Sequence, residues 1–193
     1  RTFIISDISA DTELPADATI LKTNNTLHAL QSLAAAHRKK FNIPVIAITG
    51  SNGKTMVKEW LYQLLSNDTD VVRSPKSYNS QVGVPLSVFN LEANHRLAIF
   101  EAGISQPGEM QSLENIIQPN IGILTNIGAA HDENFIDHRQ KAAEKLQLFV
   151  NCKKLIYCSD DFEIEQKIIS SGLNKKVEMI SWGRKNDAWL QIT

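Results

Sequence analysis

A short glycine-bearing segment between an apolar run and an amphipathic run carries the residue types needed to hold a phosphate. The segment reads GSNGKT, from Gly50 to Thr55. Backbone amides in a tight loop and at the start of a helix point at one spot and form an anion site. Lys54 can reach a β- or γ-phosphate as a point charge, and the Thr55 hydroxyl can be a ligand of Mg²⁺. We therefore predict that this loop binds nucleotide phosphates through Gly50, Ser51, Asn52, Gly53, Lys54 and Thr55.

The loop is a shortened form of the phosphate-loop pattern. The full pattern has a glycine five positions before Gly53, and Ile48 stands there. The alternative interpretation is a glycine-rich turn between a strand and a helix, with a lysine on the surface. The apolar strand before the loop and the helix after it favour phosphate binding. One face of that helix is predicted to be apolar and to contain Val57, Trp60, Leu61, Leu64 and Leu65.

An acidic residue stands at the end of another apolar run. Glu101 closes the run LAIFE, which has the length of a strand. In an open parallel sheet, ligands bind at the carboxyl ends of the strands. A carboxylate at that edge suits Mg²⁺, which prefers oxygen ligands. A surface acid at the end of a strand is the alternative for Glu101 considered alone.

The candidate residues lie between elements that alternate along the chain. Runs of strand length are VIAIT, DVVRS, RLAIFEA, IGILTNI, KLIYCS and VEMISW. Helical patterns occupy residues 26–40 and 53–65 and the segments EMQSLENII, HRQKAAEKLQLFV and EIEQKIISS. Strands that alternate with helices predict an α/β fold, with a mainly parallel sheet flanked by helices that cover both faces. The ending AWLQIT could begin a further strand whose partner strands are missing from this chain.

Composition excludes several classes of partner. The chain has 193 residues, of which 42% are hydrophobic, and a formal net charge of −1. No global field attracts nucleic acid, and the basic run HRKK at residues 37–40 fits a helix C-terminus. No apolar run reaches the roughly 18 residues of a membrane span. Cys152 and Cys158 are predicted to be buried free thiols, which suits a reducing compartment and a cytoplasmic protein.

Four segments in a fixed order resemble one family. They are ITGSNGKT, YNSQVGVPLSV, AIFEAGISQPGEM and ILTNIGAAHDENF. Together they resemble the ATP-binding central domain of the Mur ligases, the ATP-dependent amide-forming enzymes of peptidoglycan synthesis, over about Ala29 to Gly183. YNSQVGVPL and EAGISQPGEM are most similar to the members that add D-alanyl-D-alanine to UDP-N-acetylmuramoyl-tripeptide. The resemblance implies ATP and Mg²⁺, an acyl-phosphate intermediate and attack on it by an amine.

The resemblance also implies roles for individual residues. Glu101 matches a magnesium ligand, His131 a ligand of a second metal and Asn126 a residue that contacts the nucleotide. Asn126 could instead hold a loop turn through its own backbone. Ser80 lies in the loop that resembles the family's metal-proximal loop, but relatives often carry asparagine there. The ligand within residues 79–81 therefore stays open, as does a merely polar loop.

The resemblance also implies a role for Lys145. Many Mur ligases carry, on the helix after the histidine loop, a lysine that CO₂ carbamylates and that then binds metal. Counted from His131, Lys145 falls at the matching place. The surrounding sequence departs from the family pattern, with Leu146 where glycine is frequent and with Lys141 as a competitor one turn earlier. A solvated helix lysine is the alternative.

The resemblance divides the chain into two parts. Residues 1–25 are predicted to be the tail of the N-terminal UDP-substrate domain, and residues 26–193 the central ATP-binding domain. Because the chain starts without methionine, we expect a piece of a longer protein, without the family's C-terminal ligase domain. Such a piece should bind nucleotide weakly and be inactive alone. Some similar enzymes are fused to an alanine racemase domain, so the parent could be as well.

Three other functions remain open at this point. The first is another amide ligase of the superfamily, such as the tripeptide-forming Mur ligase or folylpolyglutamate synthase. The second is a nucleotide-binding module that has lost catalysis, against which Glu101 and His131 argue together with Lys54. The third is a phosphate-loop kinase or NTPase of another family, which the residue at position 48 disfavours.

Overall fold

The chain folds around a seven-stranded sheet in which every neighbouring pair of strands is parallel. The computed structural model describes residues 2–6, 15–128, 134–185 and 187–193. The sheet has the order β4-β5-β3-β6-β7-β8-β9. Its strands are β3 (Val45–Thr49), β4 (Val71–Arg73), β5 (Leu97–Glu101), β6 (Ile121–Leu124), β7 (Lys154–Cys158), β8 (Glu178–Gly183) and β9 (Leu190–Gln191). The predicted α/β class with a mainly parallel sheet is confirmed.

Two short strands near the start of the chain form a sheet of their own. β1 (Thr2–Ile5) pairs in parallel with β2 (Thr19–Lys22) and is not hydrogen-bonded to the seven-stranded sheet. This separation is compatible with the predicted division near residue 25.

Six α-helices connect the strands in the described residues. They are α1 (Thr26–Arg38), α2 (Lys54–Leu65), α3 (Gly83–Val88), α4 (Glu109–Ile117), α5 (His138–Leu146) and α6 (Phe162–Ser170), and two 3₁₀ turns follow at Gln147–Phe149 and Leu173–Lys175. Asn25, Asp137 and Asp161 cap α1, α5 and α6 by accepting hydrogen bonds from first-turn amides. The predicted first helix, residues 26–40, ends two residues early, at Arg38.

The two faces of the sheet are covered unequally. Residues of β3 alternate between the faces, since Val45 and Ala47 join the large core whereas Ile46 and Ile48 join a small cluster with α2. The large core packs against α1, α3, α4, α5 and α6. In the described part of the chain, α2 is the only helix on the opposite face. The aligned row Ile123, Ile156 and Ile180 therefore keeps partial exposure there.

The predicted apolar face of α2 is partly wrong. Val57, Leu61 and Leu65 pack against the sheet as expected, but Trp60 is 57% exposed and Leu64 is 70% exposed. Between Val57 and Leu61, the residue that packs inward is Lys58, which is completely buried. Periodicity assigned the large apolar side chains to the interior and could not detect an interior charge.

The two cysteines and the helices agree with the remaining general predictions. Both thiols are free, with Cys152 buried and Cys158 partly buried. Burial raises the pKa of Cys152 to about 11, so this thiol is unreactive. None of the helices in the described ranges combines the length and apolarity that a membrane crossing requires.

Candidate active site

The phosphate loop lies where the direction of chain progression across the sheet reverses. β3 is the strand between β5 and β6. The next two strands, β4 and β5, lie on one side of β3, and the later strands lie on its other side. Open α/β sheets bind ligands at such a switch point, outside the carboxyl ends of the strands. The loop that follows β3 and the residue that ends β5 therefore lie at the same edge of the sheet.

The conformation of the loop explains its two glycines. Gly50 has φ 147° and Gly53 has φ 81°, both in the region that side chains disfavour. A Cβ atom on Gly50 would lie 1.9 Å from the Thr125 hydroxyl, so the close approach of two loops also requires glycine there. Gly53 precedes the first residue of α2, and no described side chain caps this helix. Its first-turn amides can bind an anion.

Asn126 braces the phosphate loop from the neighbouring strand end. Its carbonyl oxygen accepts from the Ser51 amide at 2.9 Å, and its side-chain oxygen accepts from the Asn52 amide at 3.0 Å. Ser51 also exchanges hydrogen bonds with Gly128 through its hydroxyl, at 2.9 and 3.1 Å. Asn126 thus stabilises the phosphate loop, and not the turn in its own segment that the alternative interpretation predicted. Whether it also contacts nucleotide stays a prediction.

The Lys54 side chain is folded back over the loop. Its ammonium donates to the carbonyl oxygens of Gly50 at 2.7 Å and Ser51 at 3.3 Å. Burial lowers the pKa of Lys54, and the negative charge of Glu101 acts in the opposite direction. The ammonium is therefore already placed over the loop, where a phosphate would meet it. The alternative of a simple surface lysine does not hold, because the side chain is half-buried against the loop.

Glu101 and Thr55 come together as predicted. Glu101 is completely buried, and its Oε2 atom accepts from the Thr55 hydroxyl at 3.2 Å. The Glu101 amide donates to Ser74 Oγ at 3.1 Å. The register of β3 and β5 places Glu101 opposite Ile48, two residues before the loop begins at Gly50. Its burial excludes the alternative of a surface acid.

Within the loop at residues 79–81, Asn79 is the residue that reaches this carboxylate. Its amide nitrogen donates to Glu101 Oε2 at 3.4 Å, and its carbonyl oxygen accepts from the Gly103 amide at 2.7 Å. Ser80 uses its hydroxyl to accept from the Gly83 amide at 3.1 Å, at the start of α3, although it lines the same crevice. The prediction that Ser80 binds metal stays untested, and Asn79 is the nearer candidate.

Sequence reasoning missed Lys58 as part of the site. Its buried ammonium lies 3.0 Å from Glu101 Oε1 and 3.1 Å from Glu59 Oε1, and it donates to the Lys76 carbonyl oxygen. The contact with Glu101 is an ion pair, since Oε1 has no aligned hydrogen-bond donor among the described residues. A lysine on the inner face of an amphipathic helix, between Val57 and Leu61, was the signal available in the sequence.

Lys145 reaches the phosphate loop from α5. It is 3% exposed, and its ammonium donates to the Gly50 carbonyl oxygen at 3.2 Å. Burial lowers its pKa to about 7, with smaller contributions from the charges of Lys54 and Lys141. Lys141, which is 1% exposed, donates to the Gly128 carbonyl oxygen. The alternative of a solvated helix lysine is therefore wrong for both.

One crevice joins these groups. It has a volume of about 380 Å³ and is lined by Gly50, Lys54, Asn79, Ser80, Ser105 and Lys145, among others. No three His, Cys, Asp or Glu side chains of the described ranges cluster as metal ligands. His131 lies outside the described residues, so its predicted role as a ligand is not tested. The crevice is thus lined by part of the phosphate loop, two lysines and Glu109, whereas Thr55 and the buried Glu101 are not among its lining residues.

Comparisons with known proteins agree with this site. A family model described as the Mur ligase middle domain matches residues 48–193. The chain is 40% identical, over 145 residues, to the UDP-N-acetylmuramoyl-tripeptide–D-alanyl-D-alanine ligase of Borreliella burgdorferi, covering 72% of this chain and 31% of that protein.

Solved structures give the same result. MurF ligase from Thermotoga maritima in complex with ADP has a TM-score of 0.81 at 25% identity, over 95% of this chain and 41% of that one. MurF from Acinetobacter baumannii has a TM-score of 0.80 at 28% identity, over 90% of this chain and 39% of that one. The chain thus spans well under half the length of these relatives. The segment matched by the family model, residues 48–193, contains the phosphate loop and the buried Glu101. The chain therefore belongs to the Mur ligase family.

Proposed function

We propose that this chain is the ATP-binding domain of a ligase that adds D-alanyl-D-alanine to UDP-N-acetylmuramoyl-tripeptide. The observation that carries the proposal is the convergence of Lys54 and Lys145 on the glycine-bearing phosphate loop, with the Thr55–Glu101 pair at the start of the helix that follows it. The names of similar proteins supply the substrates, and the MurF structure with ADP supports ATP as the phosphate donor.

The reaction would run in two steps at this crevice. The terminal carboxylate of the tripeptide attacks the γ-phosphorus of ATP, the bond to the bridging oxygen breaks and ADP leaves. The amine of the dipeptide then attacks the acyl carbon, loses a proton and expels phosphate, which leaves an amide. Lys54 and the amides of the loop would hold the β- and γ-phosphates and offset the charge that develops on ADP.

The donor atoms present fit Mg²⁺. Thr55 Oγ1 and Asn79 both contact Glu101 Oε2, which gives one carboxylate with a hydroxyl and an amide beside it. Mg²⁺ takes oxygen ligands and keeps several waters, so one carboxylate is sufficient alongside substrate phosphates. We assign Thr55 and Glu101 to this metal, with Ser80 or Asn79 from the neighbouring loop. When bound, the ion would neutralise charge on the transferred phosphate.

Lys145 is suited to become a carbamate. A lysine whose pKa is about 7 is an uncharged amine in about half of the molecules at neutral pH, and the uncharged amine is the form that attacks CO₂. The new N–C bond forms as one proton is released, and the product is an anion. Lys54 and Lys141 would stabilise that anion, because both place positive charge near Lys145. The carbamate, with His131, would hold a second metal.

The remaining assignments extend to the parent protein. We propose that residues 1–25 belong to a preceding UDP-substrate domain, in line with the separate β1–β2 sheet, and that residues 26–193 are the middle domain. Because the chain spans only about a third of the ligases that it matches, we expect it to bind nucleotide weakly and not to ligate alone. The two free thiols support a cytoplasmic location. Fusion to an alanine racemase domain stays a prediction.

Phosphate release from ATP by the full-length protein tests this function. UDP-N-acetylmuramoyl-tripeptide is supplied, and the amine is D-alanyl-D-alanine, a single amino acid or none. Release that requires the dipeptide supports the proposal. Release with another amine would indicate another ligase of the superfamily, and no substrate-dependent release from folded protein would indicate a nucleotide-binding module.

A lysine variant and a matched control connect that activity to the loop. Lys54→Ala should abolish phosphate release, because it removes the only positively charged side chain of the GSNGKT loop. Lys153→Ala removes an exposed lysine between β6 and β7 and should leave the rate unchanged. Equal rates for the two variants would contradict the role of the loop.

A further inference from the structure

Lys58 is a buried cation that the proposed reaction does not use directly. It is completely buried on the face of α2 that packs against the sheet, and it is not among the residues that line the crevice. Removing an ammonium from water is costly unless oxygen atoms surround it. Three do so here, two of them from the carboxylates of Glu101 and Glu59 and one from the Lys76 carbonyl. The ammonium is thus compensated by two carboxylates and donates to one carbonyl oxygen.

The two oxygens of Glu101 have separate surroundings. Oε1 lies 3.0 Å from the Lys58 ammonium, whereas Oε2 accepts from Thr55 at 3.2 Å and from Asn79 at 3.4 Å. The carboxylate is therefore oriented with one oxygen toward the interior and the other toward the phosphate loop. Lys58 compensates the charge of a carboxylate that has no exposed surface.

Lys58 is itself held in place by a second carboxylate, that of Glu59. Glu59, which contacts Lys58, also forms an ion pair with Arg73 on β4 at 3.0 Å. The Arg73 guanidinium in turn lies 3.4 Å from the centroid of the Tyr62 ring. This chain of contacts joins α2 to the edge strand and restricts the movement of the ammonium.

We propose that Lys58 is a positioning residue for the metal site, which fixes Glu101 so that Oε2 alone is presented to the cation. The inference rests on the proposed role of Glu101 as a magnesium ligand. Side chains that orient metal ligands typically change metal affinity by about 10–100-fold when they are removed. Lys58 acts through Glu101 and touches neither nucleotide nor substrate.

Direct metal binding tests the proposal without relying on activity. Mn²⁺ is titrated into the full-length protein with saturating ADP, and free Mn²⁺ is followed by electron paramagnetic resonance. Lys58→Met should raise the dissociation constant by about tenfold or more. Lys76→Met, which removes an exposed lysine and keeps the backbone carbonyl that Lys58 contacts, should bind Mn²⁺ like the wild type.

A second variant covers the case in which Lys58→Met does not fold. Lys58→Arg keeps the positive charge, but a guanidinium pairs with both oxygens of a carboxylate. It should therefore draw Oε2 away from the crevice and weaken Mn²⁺ binding severalfold while thermal unfolding stays cooperative. Unchanged Mn²⁺ affinity in a folded Lys58 variant would overturn the proposal and leave Lys58 a packing residue.

Glu101→Gln separates this failure from failure of the proposed function. If Glu101→Gln weakens Mn²⁺ binding and the Lys58 variants do not, only the role of Lys58 is wrong. If Glu101→Gln itself leaves the affinity unchanged, the metal assignment under the proposed function is wrong, and the inference about Lys58 falls with it.

Discussion

Two buried lysines lie near the phosphate loop, and their surroundings differ in charge. Lys58 on α2 is surrounded by the carboxylates of Glu101 and Glu59. Lys145 on α5 donates to a carbonyl oxygen, has Lys54 and Lys141 as neighbours, and forms no ion pair with a described carboxylate. Burial makes either charge costly, but the partners decide the outcome. Lys58 is a cation compensated by carboxylates, which we propose orients Glu101, whereas burial lowers the pKa of Lys145 to about 7.

The largest effect should follow from breaking the compensated pair. Lys58→Met leaves the Glu101 carboxylate buried without its cation, so the free energy of unfolding should fall by about 3–5 kcal/mol. Urea denaturation of the variant and the wild type measures the difference. The double variant Lys58→Met/Glu101→Gln removes both charges and should recover much of the loss. A loss below about 1 kcal/mol in the single variant would mean that the pair contributes no more than a surface ion pair.

Removing Lys145, which has no carboxylate partner among the described residues, should change how the free energy of unfolding depends on pH. The pKa of Lys145 is about 7 in the folded protein, against an ordinary value of 10.5. Between these values the unfolded chain binds more protons, so this lysine makes the free energy of unfolding rise with pH. Lys145→Met lacks that contribution. The wild type should therefore gain roughly 2–4 kcal/mol relative to the variant between pH 7 and pH 10.

Denaturation in CO₂-free buffers across that pH range measures this difference, because carbamylation would alter the charge of the lysine. Lys153→Met, at an exposed position, serves as the control and should follow the wild type at each pH. A constant difference between Lys145→Met and the wild type would show that Lys145 keeps an ordinary pKa and would weaken the case for a carbamate.

The smallest effect concerns the carboxylate next to Lys145 in the sequence. Glu144 faces α4, where its Oε1 accepts from the Gly108 amide at 2.9 Å and from the Met110 amide at 3.0 Å. It thus caps α4 and holds α5 against it. Glu144→Ala should lower the free energy of unfolding by about 1 kcal/mol, the usual contribution of a helix cap, and Glu92→Ala at an exposed position should not. An equal loss in both variants would show that the cap is unimportant.

Much of the phosphate loop could be predicted from the sequence because its determinants are local. The positive φ angles of Gly50 and Gly53 match residues that tolerate them, and the strand and helix on either side show their own periodicities. The position of Glu101 also follows, since parallel strands end at the same edge. The pairing of Lys58 with Glu101 could not be predicted, because Glu101 lies on a different element and is brought to α2 by the pairing of β3 with β5.

The inner face of α2 shows the same limit. More than one set of apolar residues in α2 has the spacing of a helix face. Trp60 and Leu64 belong to a set that stays exposed in the fold. Which stripe packs inward depends on where the helix meets the sheet, which is a property of the assembled layers.

By itself, the sequence determined the parallel α/β fold, the phosphate loop and the family, because each depends on residue type at short range or on a fixed order of motifs. Only the tertiary structure decided the charge environment of the buried lysines. Electrostatic compensation depends on distances of a few ångströms between residues from different elements, as in the 3.0 Å between Lys58 and Glu101. Those distances are set by strand order and helix packing, which residue spacing along the chain does not contain.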